Sequence, residues 1–353
     1  MTRELLIIGG YREHGGGGIG TFVHEQEEQL SGYYNIRKHN QTATHVDSTL
    51  RKIFLTIYKL SLFIFTSPSD VVHINTTSGK GFYRDSIYIL FISYIWRRPI
   101  VLRTGGSGFD EFVTTNSFVK SVCLKIVFSN VASILVLTEL QYRVLRTYVP
   151  IEKVTLFPQA TEVDNYAPKY SQKPHILFLS SLSERKGFHL FANAIDTLFD
   201  SNEFSRDEIL VSLAGDGEYQ EVAEELDTKY ECITYHGYVS GQEKYDLLNN
   251  ASIFILPTHA EGFPNAIIEA MAGGCAIIST TASGIPEIVT EDCGVTIEPG
   301  NTDQLFEALV LFLESHEMVE AIGKHNHKKI KENYNWESAR EQLLKVYEDA
   351  LGR

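Results

Sequence analysis

Short apolar runs alternate along the chain with longer stretches in which apolar positions recur every three or four residues. The first half predicts strands at 5–8, 71–74, 100–103 and 134–137, with helices near 19–30, 49–65, 82–96 and 118–128 between them. Past Pro158 a polar stretch, QATEVDNYAPKYSQKPH, carries Pro168 and Pro174 and reads as a linker. The alternation then restarts, with strands at 176–180, 209–214, 253–256 and 276–279. Ser240 followed by Glu243 predicts a capping box at one helix start. Strand–helix alternation implies parallel sheets covered on both faces. The fold class is therefore α/β, as two Rossmann-like domains, expected at 1–165 and 170–333. Sheets of this kind bind ligands at the carboxyl ends of their strands, so the cleft between the domains is the expected site.

A length of 353 residues suits two such domains. The net charge of -14 argues against a nucleic-acid partner, which calls for a cationic surface. That charge is unevenly placed. Residues 1–160 hold 17 Lys+Arg against 12 Asp+Glu, a balance of +5, and residues 161–353 hold 14 against 33, a balance of -19. Lys52, Lys59, Arg97, Arg98, Lys120 and Lys125 accompany the apolar helices of the first half, which predicts an anionic membrane surface as partner of the N-terminal domain. The apolar segments 53–66, 87–96 and 117–137 are too short or too interrupted to span a bilayer, which takes roughly 20 apolar residues. The apolar run near the N-terminus is too short for a signal-peptide core. Cys123, Cys232, Cys275 and Cys293 lie far apart, against a disulfide framework or a zinc site. The expected location is cytoplasmic, peripheral on the inner face of the cell membrane.

Two segments carry candidate chemistry. The first, HGGGGIGTFVHE at 14–25, satisfies G-x-G-x-x-G through Gly15, Gly17 and Gly20. Six residues, Gly9 to His14, separate its glycines from the first strand, where a dinucleotide fingerprint wants a tight turn. A flexible loop, an anion-covering loop at a helix start and a dinucleotide site all stay open. The second, PTHAEGFPNAIIEAMAGGCAIIST at 257–280, runs from a strand through a short loop into a helix, with Glu261 and Glu269 eight apart. Pro264 suits a first helical turn, leaving the N–H groups of Asn265, Ala266 and Ile267 to face an anion. Taken singly, either glutamate reads as a solvated charge.

The stretch EGFPNAIIE resembles the E-x7-E signature of glycosyltransferase family 4, retaining enzymes of GT-B architecture that use nucleotide-diphosphate sugars. FLSSLSERKGFHLFANAI, LAGDGEY, YHGYVSGQEKYDLLNNASIFILP, GIPEIV and CGVTIEPGN follow in that family's order. NWESAREQLLKVYEDAL is similar to its closing helices, which implies that 334–353 pack back on the N-terminal domain. VVHINTTSGKGFYRDSI and RTGGSGFDEF resemble the version found in enzymes that build surface polysaccharides.

The resemblance implies that Lys186 is the donor-diphosphate lysine, with Glu261 holding the donor sugar and Glu269 the ribose hydroxyls. Gly17, Gly18, Ser181, Arg185, Gly215, Val239, Gly262, Phe263, Pro264, Asn265 and Ala266 would complete the donor site, for a UDP or GDP sugar. Negative charge grows on the leaving diphosphate, so cationic donors and dipoles aimed there are what the chemistry requires. No D-x-D occurs, so a metal-independent reaction without a further cofactor is expected. Two positions depart from the family. Ser181 stands where an arginine is usual, with Arg185 nearby as a substitute. Arg103, in LRTGGSG, replaces a histidine of the H-x-H-G-G pattern and is counted with the catalytic set. His73 and His236 read as structural. The expected acceptor is a glycan or a polyprenyl-diphosphate-linked glycan. A non-catalytic partner of a transferase, a nucleotide-sugar epimerase of the same fold and an NAD-dependent oxidoreductase are the alternatives.

Overall fold

Each half of the alternation closes into its own parallel sheet. The computed structural model describes residues 2–11, 17–42, 49–106, 108–114, 117–201 and 204–352. The chain divides into two units, Met1–Gln159 with Glu337–Arg353, and Ala160–Trp336.

Unit 1 contains β1 (Glu4–Gly9), α1 (Gly17–Leu30), β2 (Asn35–Asn40), α2 (Thr49–Ile64), β3 (Val71–Thr76), α3 (Lys80–Phe91), β4 (Ile100–Thr104), α4 (Phe109–Val113), α5 (Phe118–Ser129), β5 (Ser133–Val136), α6 (Glu139–Leu145) and β6 (Val154–Leu156). Its sheet has the order β2-β1-β3-β4-β5-β6. Helix α3 runs directly into a π-helical turn, Ile92–Trp96, which Arg97 ends in the left-handed conformation. Unit 2 contains β7 (His175–Leu179), α7 (Phe188–Asp200), β8 (Leu210–Ala214), α8 (Gln220–Lys229), β9 (Ile233–Tyr235), α9 (Gly241–Asn250), β10 (Ile253–Leu256), α10 (Asn265–Ala272), β11 (Ala276–Thr280), α11 (Ile285–Ile288), β12 (Gly294–Ile297), α12 (Thr302–Glu314) and α13 (His316–Asn333). Its order, β12-β11-β10-β7-β8-β9, is the doubly wound Rossmann arrangement.

The final helix α14 (Trp336–Leu351) is anchored in unit 1 by polar contacts. Arg340 donates to Gln29 Oε1 (2.9 Å), Gln342 to the Leu156 carbonyl (3.0 Å), and Arg3 to Glu348 (2.6 Å). Buried Tyr347 lies 2.7 Å from Nδ1 of His73 and accepts from Gln26 Nε2, also at 2.7 Å. Burial, with Arg103 as a second cause, pushes the His73 imidazole down to about 3, so it stays neutral. The unfolded chain takes up a proton there at an ordinary pKa near 6.5. The stability that depends on neutral His73 is therefore full above that pH and is lost as pH falls from about 6.5 toward 3. A His73→Gln variant lacks this contribution. Denaturant unfolding is expected to show the gap between wild type and variant narrowing from about pH 7 to pH 5.

The strands predicted from apolar runs are present, each shifted by a residue or two at most. Four others, β2, β6, β9 and β12, were not predicted, and all four are sheet edges. The capping box is corrected: Ser240 does occupy the N-cap of α9, but its hydroxyl makes no capping bond. The next residue, Gly241, takes a positive φ of 55°. No helix among the described residues is long and apolar enough to cross a membrane.

Candidate active site

Strand order in unit 2 reverses between β7 and β10, so the loops leaving their carboxyl ends lie side by side. The β7 loop ends in a single 3-10 turn, Glu184–Lys186, and then Gly187 opens α7. The β10 loop carries Thr258 to Phe263 and leads into α10. Main chain stitches the two together. The Arg185 carbonyl accepts from His259 N (2.9 Å) and Thr258 Oγ1 (3.0 Å), while Arg185 Nη1 donates to the Ala260 carbonyl (3.0 Å). Gly187 permits this approach. Its φ is +70°, and a Cβ there would lie 2.0 Å from the Pro257 carbonyl oxygen.

Across this seam Lys186 donates to Glu261, residues 75 apart in sequence. Their side chains are 14% and 8% exposed, so water screens the pair poorly. Glu269, in the second turn of α10, accepts from Lys244 of α9 at 3.0 Å, a partner no sequence signal marked. On the other side of β7, Gly215 donates to the Gly237 carbonyl (2.7 Å), and a Cβ there would lie 1.8 Å from the Ser180 carbonyl oxygen. Ser181 is exposed, its hydroxyl 3.3 Å from that of Ser183. Val239 is buried in the core ahead of α9, and Phe263 packs against that core from the β10 loop.

The start of α10 differs from expectation. Pro264 is the N-cap rather than a first-turn residue. Asn265 N donates back to the Phe263 carbonyl and Ile267 N to that of Pro264, both at 3.0 Å. Of the three N–H groups expected to face a ligand, Ala266 alone has no acceptor among the described residues.

The remaining sequence candidates belong to unit 1. Gly17 and Gly18 begin α1, and the glycines before them lie outside the described residues. Arg103, near the end of β4, is 2% exposed. It donates to Gln159 Oε1 (2.6 Å), stands 3.6 Å over the Phe22 ring, and leaves Nε without a hydrogen-bond partner among the described residues. Burial lowers its guanidinium to about 9. The chain thus brings Lys186, Glu261, Arg185 and residues 262–266 together, with Glu269, Gly215 and Ser181 in the same unit, and holds Arg103, Gly17 and Gly18 in the other.

Residues 173–315 match the family model for glycosyl transferases group 1, and this span contains the whole Lys186–Glu261 seam. The chain is 26% identical over 213 residues to the putative colanic acid biosynthesis glycosyltransferase WcaL of Escherichia coli, covering 56% of this chain and 51% of WcaL. It spans between 28% and 53% of the length of the curated relatives it matches. Sucrose-phosphate synthase from Thermosynechococcus elongatus superposes with a TM-score of 0.77 at 16% identity, covering 99% of both chains. HepE of Anabaena, solved in complex with UDP-glucose, superposes with a TM-score of 0.65 at 15% identity, covering 98% of this chain and 99% of its own. Residues 173–315 are thus similar to the group 1 glycosyl transferases, and at these identities the solved structures show the fold alone, a GT-B-like pair of Rossmann-like units.

Proposed function

We propose that the protein transfers a sugar, with retention of configuration, from a UDP or GDP sugar to a lipid-linked glycan of a surface polysaccharide. The observation that carries this reading is the Lys186–Glu261 pair at the switch point of a Rossmann-like sheet. Departure of a nucleoside diphosphate places growing negative charge on phosphate oxygens. A poorly screened lysine and a free N–H at the start of α10 stabilise such charge without reorganising solvent. In the free protein Lys186 is held by Glu261; an arriving diphosphate takes over the ammonium and releases the carboxylate to hydrogen-bond sugar hydroxyls. Glu269, positioned by Lys244, accepts from ribose hydroxyls. Lysine and backbone dipole supply the positive charge, so the transfer needs neither a metal ion nor a further cofactor. The test is release of nucleoside diphosphate from a panel of UDP and GDP sugars, with acceptor mixtures added. Release with one donor is expected. Binding without release in every mixture favours a non-catalytic partner instead, and neither binding nor release overturns the reading.

The lipid-linked acceptor is supported by one face of unit 1. Helices α2, α3 with its π-helical turn, and α5 share a layer. Phe63 of α2 packs on Trp96 with ring centroids 4.7 Å apart, and Phe82 of α3 on Phe128 of α5 at 5.6 Å. Outward side chains on these helices and at the end of α2 are strongly apolar and exposed, with Phe65 88%, Phe118 81%, Val119 77%, Phe54 67%, Ile95 66% and Tyr94 62% accessible. Arg51, Arg97, Arg98 and Lys125 are exposed among them, and Asp85, the one acidic residue on these elements, is buried against Arg84. An apolar surface rimmed by cations suits an anionic bilayer on the cytoplasmic side. Each such cation contributes about 1 kcal/mol near the membrane. Changing Arg97 and Arg98 together to alanine is thus expected to weaken binding to phosphatidylglycerol-containing vesicles roughly 30-fold in a sedimentation assay. Binding equal to wild type, or unaffected by the anionic lipid, would remove the membrane from the reading.

A further inference from the structure

Scattered cysteines and the lack of D-x-D predict no metal site from sequence, yet the two loops of the seam and the first turn of α7 bring three ligand side chains together. Glu184 lies in the 3-10 turn, two residues before Lys186; His189 is in the first turn of α7; His259 is on the β10 loop, two residues before Glu261. One carboxylate oxygen and one nitrogen from each imidazole all lie within 4.8 Å of one another. We infer that Glu184, His189 and His259 form a site for a borderline divalent cation of the Zn2+ class, which clasps the Lys186 loop to the Glu261 loop.

Nδ1 of His189 is buried and makes no hydrogen bond among the described residues, although Glu184 Oε2 is 3.1 Å away. A carboxylate oxygen and an unpartnered imidazole nitrogen at that separation suit a cation placed between them. Zinc bonds of about 2.0–2.2 Å set tetrahedral ligand atoms roughly 3.3–3.5 Å apart, so small side-chain rotations close the set. The rings of His189 and His259 are nearly parallel, 8° apart, with centroids at 6.2 Å.

A supporting layer is also in place. Tyr219 donates its hydroxyl to Glu184 Oε2 at 2.6 Å, orienting the carboxylate as outer partners of metal ligands do. Glu218 accepts from Glu184 N at 2.7 Å and adds negative charge nearby. The backbone of His259 is pinned by its bond to Arg185. Two imidazoles and one carboxylate select zinc, nickel or copper over calcium or magnesium, which take oxygen ligands. Three protein ligands leave a fourth position to water.

The consequence for the seam follows from where the ligands sit. An ion held by Glu184, His189 and His259 would join the segment that carries Lys186 to the loop that carries Glu261. Zn2+ is therefore a bridging ligand, distinct from any role in the transfer itself.

The experiment uses the full chain, freed of metal by a chelator. Titration with Zn2+ against a chromogenic competitor is expected to show one equivalent bound at micromolar or tighter affinity. Co2+ should give a visible absorption band, and Zn2+ should raise Tm. His189→Ala and His259→Ala are each expected to weaken Zn2+ binding at least 10-fold, with metal-free Tm near that of wild type. Should a variant fold poorly, protection can be read on the wild type: Zn2+ should shield His189 and His259 from diethyl pyrocarbonate, as mapped by mass spectrometry. No Zn2+ binding by the wild type, undiminished binding by His189→Ala and His259→Ala, or equal modification with and without Zn2+ would each overturn the site. All these readouts are occupancy, so they stand or fall independently of which reaction the protein catalyses.

Discussion

Replacing Lys186 by alanine is expected to slow turnover of the nucleotide sugar by about 10²- to 10³-fold, the usual cost of removing one donor aimed at developing charge. The loss should appear in kcat as well as in kcat/KM, because the ammonium is needed most when the diphosphate departs. A second effect accompanies it. Glu261 is 8% exposed, and without Lys186 it is a poorly solvated carboxylate with no cation beside it. Such uncompensated charge destabilises, so Tm should also fall. The double variant Lys186→Ala with Glu261→Gln separates the two effects. Removing the stranded charge should restore much of the Tm and none of the turnover. Turnover by Lys186→Ala near the wild-type rate would show that the pair is structural.

Gly187→Ala is expected to damage stability and turnover together. A Cβ at this position would lie 2.0 Å from the Pro257 carbonyl oxygen, a backbone atom that cannot move aside without carrying the β10 loop with it. The φ of +70° adds the ordinary left-handed penalty of about 1–2 kcal/mol for a residue with a side chain. Gly237 supplies the control. Its φ is +66°, but nothing lies within 4 Å of its would-be Cβ, so Gly237→Ala carries the strain without the collision. For a unit of this size each kcal/mol shifts Tm by about 2–4 °C. Gly237→Ala should therefore lower Tm by a few degrees and keep its activity. Gly187→Ala should lose distinctly more Tm and most of its turnover. Equal effects for the two variants would mean that the loops give way freely.

How much of this was legible in the chain follows from where each element lies in its sheet. The inner strands of both units stand out as apolar runs because helices cover both their faces. β2 (NIRKHN) does not, and β6, β9 and β12 are short; these four are the strands with one neighbour only. Edge strands are half exposed and lack the continuous apolar run. Two of the three expected free N–H groups at α10, those of Asn265 and Ile267, failed locally, because the chain tightens into short-range bonds around Phe263 and Pro264. Neither Lys244 opposite Glu269 nor His259 beside Glu184 carries a sequence signature, since the ligand spacings are long and unrelated to a helical or strand period.

By itself the sequence determined the class of fold and the contrast between a basic first half and an acidic second half, and it marked Glu261, Glu269 and Lys186 as candidates. These are properties of local period, motif and composition, which need no knowledge of what lies opposite. Tertiary structure decided the pairings. The reversal of strand order between β7 and β10 sets Lys186 against Glu261 and Arg185 against Ala260, and draws Glu184 and His189 to His259. The physical reason is that a parallel sheet places strand ends side by side in the order set by its crossovers, so residues 75 apart in the chain meet through hydrogen-bond register rather than through sequence spacing.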